Sequence, residues 1–193
     1  MREAAYEIYK KYFGPLILNV GSTKNQEPPR NGSRFVNLDM NPAVGADVTH
    51  DLRNLPLPFP DNTFDTIIGS HVFEHIEKVH FLPLAAELHR ILKPGGFLLS
   101  FTPYGSSFDA WENPHHVQCF TEATWFYVMD ELYQDPSTAG FGADQGQPTR
   151  KWSLCEITMV PWPEFKDDPE IEWKRKHYAN VIRELQVVIR AVK

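Results

Sequence analysis

The chain has little cysteine and no long apolar run. Cys119 and Cys155 are its only cysteines among 193 residues, and they form no CxxC pair. This excludes a disulfide framework and a zinc site built from thiolates, and it favours a reducing compartment. Apolar runs such as residues 16–18 fall far short of the roughly 20 residues that a membrane helix needs. The N-terminus mixes both charges and lacks the apolar stretch of a signal peptide. We therefore expect a cytoplasmic protein with no membrane contact.

The chain also lacks an excess of basic residues. It has 19 Lys and Arg against 25 Asp and Glu, which gives a net charge of −6. No overall positive field attracts nucleic acid, so we expect no non-specific nucleic-acid binding. Hydrophobic residues make up 42% of the sequence, enough to build a sizeable core. These numbers predict a single compact domain over residues 1–193.

Short apolar segments alternate with helical patterns, which predicts an α/β fold with a doubly wound, mostly parallel sheet. In such sheets, ligands bind beyond the carboxyl ends of the strands. The core of the domain is expected at 16–160, followed by a C-terminal helix at 170–192. The predicted strands are 16–20, 34–38, 47–48, 64–70, 97–101 and 152–160, and the other predicted helices are 3–13, 81–92 and 122–132.

Glycine is scarce after the first predicted strand. Gly21 is the only glycine between residues 21 and 31, whereas the dinucleotide-binding pattern G-x-G-x-x-G needs three to seat a pyrophosphate. This argues against a nicotinamide-dependent oxidoreductase. Asp39 ends the second predicted strand, where an acidic side chain can accept both hydroxyls of a ribose. The pair favours a nucleoside ligand without a pyrophosphate, of which S-adenosylmethionine is the commonest example.

Six segments in order resemble the small class I S-adenosylmethionine-dependent methyltransferases of the type 11 kind. The similarity covers roughly residues 16–125, and its middle part is specific in combination. The segments are LNVGS at 18–22, NLD at 37–39, DVTHDL at 47–52, LPLPFPDNTFD at 55–65, HVFEHI at 71–76 and LKPGG at 92–96.

The resemblance implies S-adenosylmethionine as the cofactor and assigns residues to each of its parts. One departure is Thr23, which stands where the family usually has a second glycine. By position, Gly21 and Ser22 would lie under the methionine part of the cofactor, and Asp39 would hold its ribose. Met40 would pack on the adenine ring, and Asp51 and Leu52 would bind the edge of that ring. Ser70 and His71 would face the methyl group and the acceptor.

A second cluster of residues suggests a divalent metal site. His71, Glu74, His75 and His116 are similar to the metal-binding residues of the small-RNA and quinone-precursor O-methyltransferases, with a histidine at 71 where the RNA enzymes have a glutamate. Imidazole and carboxylate ligands suit Zn²⁺, Mn²⁺ or Fe²⁺. Without a metal, His71 or His116 would be the candidate general base, because an imidazole titrates near neutral pH.

The leading functional hypothesis is methyl transfer to a small-molecule or nucleotide-linked acceptor, with metal-assisted O-methylation as one form of it. Aromatic residues after the fifth strand are candidates for an acceptor wall. The segment there is short, so the pocket should be partly open, which favours either a substrate held jointly with a homodimer or partner subunit or a large, extended substrate. The alternative is a non-catalytic protein that binds S-adenosylmethionine or S-adenosylhomocysteine. The candidate wall residues are Tyr104, Phe108, Trp111 and Phe120.

Overall fold

The computed structural model describes residues 9–23, 32–129 and 151–193. The helix predicted at 3–13 lies largely outside these described residues. Within them, the strands are β1 (Leu16–Val20), β2 (Arg34–Asp39), β3 (Val48–Thr49), β4 (Phe64–Ser70), β5 (Leu92–Pro103), β6 (Lys151–Pro161) and β7 (Ile182–Val192), and the α-helices are α1 (Lys78–Ile91), α2 (Glu122–Phe126) and α3 (Ile171–His177).

The seven strands form one sheet in the order β3-β2-β1-β4-β5-β7-β6. The neighbours from β3 to β5 pair in parallel, and β7 runs antiparallel to both β5 and β6. The order reverses between β1 and β4, and at such a switch point the carboxyl ends of the strands leave a crevice. The predicted fold class, a doubly wound and mostly parallel sheet, is confirmed.

Most local predictions agree with the observed elements. The strands β1 and β4 have the predicted bounds, and α1 begins three residues before the predicted start at 81. The helix predicted at 122–132 ends earlier, at Phe126. In the described part of the chain, no helix combines the length and the apolar character needed to cross a membrane.

The C-terminal helix predicted at 170–192 is wrong. A helix covers only Ile171–His177, and the chain then enters strand β7, between β5 and β6. Val187 and Val188 point to opposite faces of the sheet and both are buried. A strand that is buried on both faces carries a continuous apolar run, which periodicity alone does not distinguish from a buried helix.

The sheet has an unequal core on its two faces. The larger cluster includes Leu18, Leu98 and Leu185 from the sheet and packs against α1, α2 and the turn around Phe73. The smaller cluster, on the other face, contains Ile17, Leu99 and Val188 of the sheet and is covered by the aromatic segment at 9–13.

Helix α1 anchors the loop that follows β3. The carboxylate of Glu87 accepts the Leu57 N–H at 2.7 Å and two N–H groups of Arg90 at 2.6 and 2.8 Å. Arg90 also donates to the Phe59 carbonyl at 2.9 Å. Glu87 is buried, so its charge is stabilised mainly by Arg90, which lowers the pKa of the carboxyl. These bonds fix residues 57–59 against α1.

Candidate functional site

A cavity of about 270 Å³ opens at the carboxyl ends of β1, β2 and β4. It lies at the switch point of the sheet, where this class of fold binds its ligands. Five of the seven predicted cofactor residues line it, and Ser22 and Ser70 do not. The lining residues are Gly21, Thr23, Leu38, Asp39, Met40, His50, Asp51, Leu52, Arg53, His71, Val72, His75 and Ile76.

Gly21 forms the turn after β1, where two constraints require glycine. Its φ of +64° lies in the left-handed region that side chains disfavour. In addition, a Cβ at this position would lie 2.4 Å from a methyl carbon of Val72, which is closer than packing permits. The glycine thus lets the turn after β1 meet the segment after β4 at the floor of the cavity.

Asp39 ends β2 and is buried at the cavity wall. Its Oδ1 accepts the Asn41 N–H and its Oδ2 accepts the Thr23 N–H, both at 2.8 Å. A carboxylate has about four lone-pair sites, so two remain for further donors. Thr23 has a φ of +48°, an unusual conformation for a β-branched residue, and its bond to Asp39 helps to hold it there.

Asp51 faces the cavity, but its carboxylate is already paired. Arg53 donates from Nε to Oδ1 at 3.0 Å and from Nη2 to Oδ2 at 2.7 Å. The guanidinium therefore lowers the pKa of the Asp51 carboxyl. Leu52 is buried beside it, and Met40 contributes a 58% exposed apolar side chain to the rim. The predicted adenine residues are thus together, with an arginine among them.

Glu74, His75 and His116 form a group of potential metal ligands next to this cavity. One ligand atom from each lies within 4.8 Å of the others. Glu74 and His75 belong to the short turn Phe73–His75 after β4, and the Val117 N–H donates to the Glu74 carbonyl at 2.8 Å. This backbone bond brings the segment after β5 to the turn and places His116 opposite His75.

The hydrogen bonds around this group leave suitable donor atoms. Nδ1 of His75 lies 3.0 Å from the His115 carbonyl, and Nδ1 of His116 lies 3.3 Å from the Ala110 carbonyl. Because a carbonyl only accepts, Nδ1 carries the hydrogen in each ring and Nε2 keeps a lone pair. Glu74 is 2% exposed, and neither of its carboxylate oxygens has a hydrogen bond within the described chain. Its one ion-pair contact in the described chain is with Nδ1 of His71 at 3.4 Å, so the carboxylate keeps lone pairs for a metal ion.

His71 lies beside the group but is not part of it. Its Nε2 is 3.1 Å from Glu184 on β7, and its Nδ1 is 3.4 Å from Glu74. Glu184 and then Glu74 raise the pKa of His71 to about 9. At neutral pH the imidazole is therefore a cation with both nitrogens facing carboxylates. The roles predicted for His71, as a metal ligand or as a general base, stay predictions.

The four predicted wall residues separate into two pairs. Phe120 is fully buried between Phe81 and Trp125, and Tyr104 is mostly buried, with its hydroxyl donating to Glu122 at 2.9 Å. These two belong to the core. The other pair, Phe108 and Trp111, is 57% and 69% exposed on the same loop as His116.

Sequence reasoning missed two cavity residues that influence the site strongly. Val72 closes over Gly21, and Arg53 pairs with Asp51. The proximity of Arg53 to Asp51 in the sequence is a signal that could have indicated the pair. The contact of Glu184 with His71 joins residues 113 positions apart, and no local pattern could have revealed it.

The chain matches a family model described as a methyltransferase domain over residues 24–100. No curated protein sequence matches this chain. Among solved structures, a SAM dependent methyltransferase from Archaeoglobus fulgidus is similar with a TM-score of 0.68 at 14% identity, over 97% of this chain and 91% of that one. A Burkholderia thailandensis 1,6-didemethyltoxoflavin-N1-methyltransferase, solved with 1,6-didemethyltoxoflavin and S-adenosylhomocysteine, has a TM-score of 0.63 at 13% identity, over 100% and 78%.

The fold alone does not define the reaction. The cyclase SpnF is similar with a TM-score of 0.64 at 13% identity, over 98% of this chain and 81% of that one. The similarity to methyltransferases in sequence comes from the family model, whose matched residues include Asp39 and Asp51 in the cavity. The domain match over residues 24–100 and the strand order make this chain similar to the class I S-adenosylmethionine-dependent methyltransferases.

Proposed function

We propose that this chain transfers the methyl group of S-adenosylmethionine to a hydroxyl oxygen of a small-molecule or nucleotide-linked acceptor, with the help of a divalent metal ion. One observation carries the proposal: the cavity lined by Gly21 and Asp39 borders the group formed by Glu74, His75 and His116. His75 belongs to both. A methyl donor and a metal-held acceptor would therefore meet at the carboxyl end of β4.

The cofactor would lie across the ends of three strands. Asp39 has two lone-pair sites left after its bonds to the backbone, which suit the two hydroxyls of a ribose. Met40 offers an apolar surface to the adenine face, and the Leu52 N–H offers a donor to its edge. Gly21 leaves room for the methionine part. Methyl transfer is an in-line displacement, so these residues act mainly by positioning the sulfonium toward the acceptor.

Glu74, His75 and His116 would hold the metal ion. Their donor set, two imidazoles and one carboxylate, suits Zn²⁺ or Fe²⁺ and leaves coordination positions for an acceptor. The backbone carbonyls that accept from the two Nδ1 atoms orient the rings, as is usual for metal-binding histidines. When bound, a divalent ion lowers the pKa of a coordinated hydroxyl and makes its oxygen a better nucleophile.

His71 would act as a fixed positive charge at the edge of the site. It lies between Glu74 and Glu184, and its raised pKa keeps the imidazole protonated at neutral pH. Its charge lies beside the buried Glu74 carboxylate, which would be one of the metal ligands. In this role His71 supports the ligand set without belonging to it.

The acceptor would be a planar or partly apolar molecule. Phe108 and Trp111 are exposed on the loop that also carries His116, so an acceptor at the metal would have aromatic surface nearby. The Burkholderia thailandensis enzyme, which holds a small-molecule acceptor together with S-adenosylhomocysteine, supports a small-molecule acceptor here.

A second candidate function is binding of S-adenosylhomocysteine without methyl transfer. Two observations favour it: the strained backbone of Thr23 where the family has glycine, and the pairing of Arg53 with Asp51. The two functions differ in their need for the metal group. A protein that only binds the cofactor has no use for two oriented imidazoles beside a buried carboxylate.

Elemental analysis of protein purified without a histidine tag tests the metal site. We expect close to one equivalent of a divalent transition metal in the parent, and strong depletion in Glu74→Gln and His116→Ala. His115→Ala is the matched control, because it removes an exposed neighbouring imidazole and keeps the backbone carbonyl that orients His75. Less than about a tenth of an equivalent in the parent would contradict the metal site.

Calorimetric titration with S-adenosylhomocysteine tests the cofactor site independently. The metal variants should bind it nearly as tightly as the parent, because Asp39 and Asp51 lie on other strand ends. No binding by the parent would contradict both candidate functions.

A further inference from the structure

Arg53 occupies the carboxylate that would recognise adenine. Its Nε lies 3.0 Å from Oδ1 and 3.1 Å from Oδ2 of Asp51, and its Nη2 lies 2.7 Å from Oδ2. The backbone N–H of Arg53 also donates to Oδ1 at 2.9 Å. Arg53 thus makes four contacts with the Asp51 carboxylate, which has about four lone-pair sites. In this arrangement the carboxylate has no capacity left for the exocyclic amine of an adenine.

The neighbouring hydrogen-bond donor, the backbone N–H of Leu52, is available, whereas the Asp51 carboxylate is covered. The Leu52 N–H donates to no acceptor within the described residues, and Leu52 lines the same cavity. An adenine edge needs one acceptor and one donor here, and in the free protein the donor is available while the acceptor is covered. The cofactor site is otherwise formed, so the coverage of Asp51 is a local feature of Arg53.

Glu77 offers Arg53 another partner. Its Oε1 lies 3.4 Å from Nη1 of Arg53, and its Oε2 is buried with no hydrogen bond within the described chain. Glu77 directly precedes α1 and makes no side-chain cap to that helix. Its carboxylate is therefore a second acceptor for the guanidinium when the arginine side chain turns away from Asp51.

We propose that Arg53 is a latch over the adenine subsite, which must shift from Asp51 toward Glu77 before the adenosyl group binds fully. This inference rests on the proposed cofactor site. In the free protein the latch is closed, and the apparent affinity for the cofactor is reduced by the fraction of molecules in which it is open. Arg53 then sets both the affinity for the cofactor and the strength with which the adenine amine is recognised.

Calorimetric titration of the parent and Arg53→Ala with S-adenosylhomocysteine tests the latch. We expect Arg53→Ala to bind at least threefold more tightly, because Asp51 is then free to accept the amine. In the Asp51→Asn background the same substitution should change the affinity less than twofold. Glu77→Gln should weaken binding when Arg53 is present and have no effect in Arg53→Ala.

A second ligand separates release of the latch from a general change in the cavity. The 6-oxo analogue, S-inosylhomocysteine, lacks the exocyclic amine. The preference for S-adenosylhomocysteine over this analogue should increase at least threefold in Arg53→Ala relative to the parent. Melting temperatures of all variants show whether they fold, and Arg53→Gln, which keeps a polar side chain without the charge, should behave like Arg53→Ala.

The outcomes distinguish the latch from the proposed cofactor site. If the parent binds S-adenosylhomocysteine and Asp39→Ala weakens that binding, but both Arg53 variants bind no tighter, the latch is wrong and the cofactor site stands. If neither the parent nor Arg53→Ala binds S-adenosylhomocysteine, the proposed cofactor site is wrong, and the latch is therefore wrong too. An equal gain in affinity for both ligands would also overturn the latch, because the gain would not come from the amine.

Discussion

Replacing Asp39 with asparagine should weaken cofactor binding and the fold together. The carboxylate accepts the N–H groups of Thr23 and Asn41 with separate oxygens, both at 2.8 Å. Asparagine has a single carbonyl oxygen, so its NH₂ group would face one of these donors. A buried N–H that loses its partner costs about 1–3 kcal/mol. We expect the free energy of unfolding to fall by that amount.

The effect on the cofactor comes from the same atoms. In Asp39→Asn, the carbonyl oxygen must serve both a backbone N–H and the ribose, and the NH₂ group cannot accept from a hydroxyl. Loss of one hydrogen bond to a charged acceptor, about 1.5–3 kcal/mol, corresponds to a Kd roughly ten- to a hundredfold higher. Calorimetry with S-adenosylhomocysteine measures the Kd, and denaturant unfolding measures the stability.

Asp47→Asn is the matched control. Asp47 also accepts a backbone N–H, that of Asn37 at 2.7 Å, but it is exposed and does not line the cavity. This variant should lose less stability, because Asn37 donates only to Oδ2 of Asp47 and the single carbonyl oxygen of asparagine can take its place, and its Kd should equal that of the parent. The ribose assignment is refuted if Asp39→Asn binds S-adenosylhomocysteine as tightly as Asp47→Asn does.

Two further predictions concern strain and charge in the frame of the site. Thr23→Gly should raise the free energy of unfolding by up to about 1 kcal/mol, because relief of backbone strain of about 1–3 kcal/mol exceeds the entropic cost of glycine; a lower melting temperature would contradict strain at φ +48°. Glu87→Gln should destabilise the protein at pH 7, where the ionised carboxylate pairs with Arg90. Because Arg90 lowers the pKa of Glu87, its contribution is present above the ordinary carboxyl pKa of about 4.3 and is lost on acidification, so parent and variant should converge in unfolding experiments below that pH.

The amino-acid sequence by itself determined the sheet class and most of the lining of the cavity at the strand ends. Strands β1 and β4 are short apolar segments bounded by turn residues, and their limits follow from local composition. Gly21 and Asp39 come directly after strands, and parallel strands bring their carboxyl ends to one edge. Their proximity in the cavity therefore follows from the order of the elements, without knowledge of any long-range contact.

Only the tertiary structure decided the C-terminal segment and the charge state of the site. The apolar residues at 182–192 fit a helix face as well as a buried strand, and insertion of the segment between β5 and β6 selects the strand because both of its faces are then covered. That insertion also brings Glu184 to His71 across 113 residues and raises the pKa of the imidazole to about 9. Local pattern specifies which segments can form strands, whereas the partner of each charged side chain depends on which strands become neighbours.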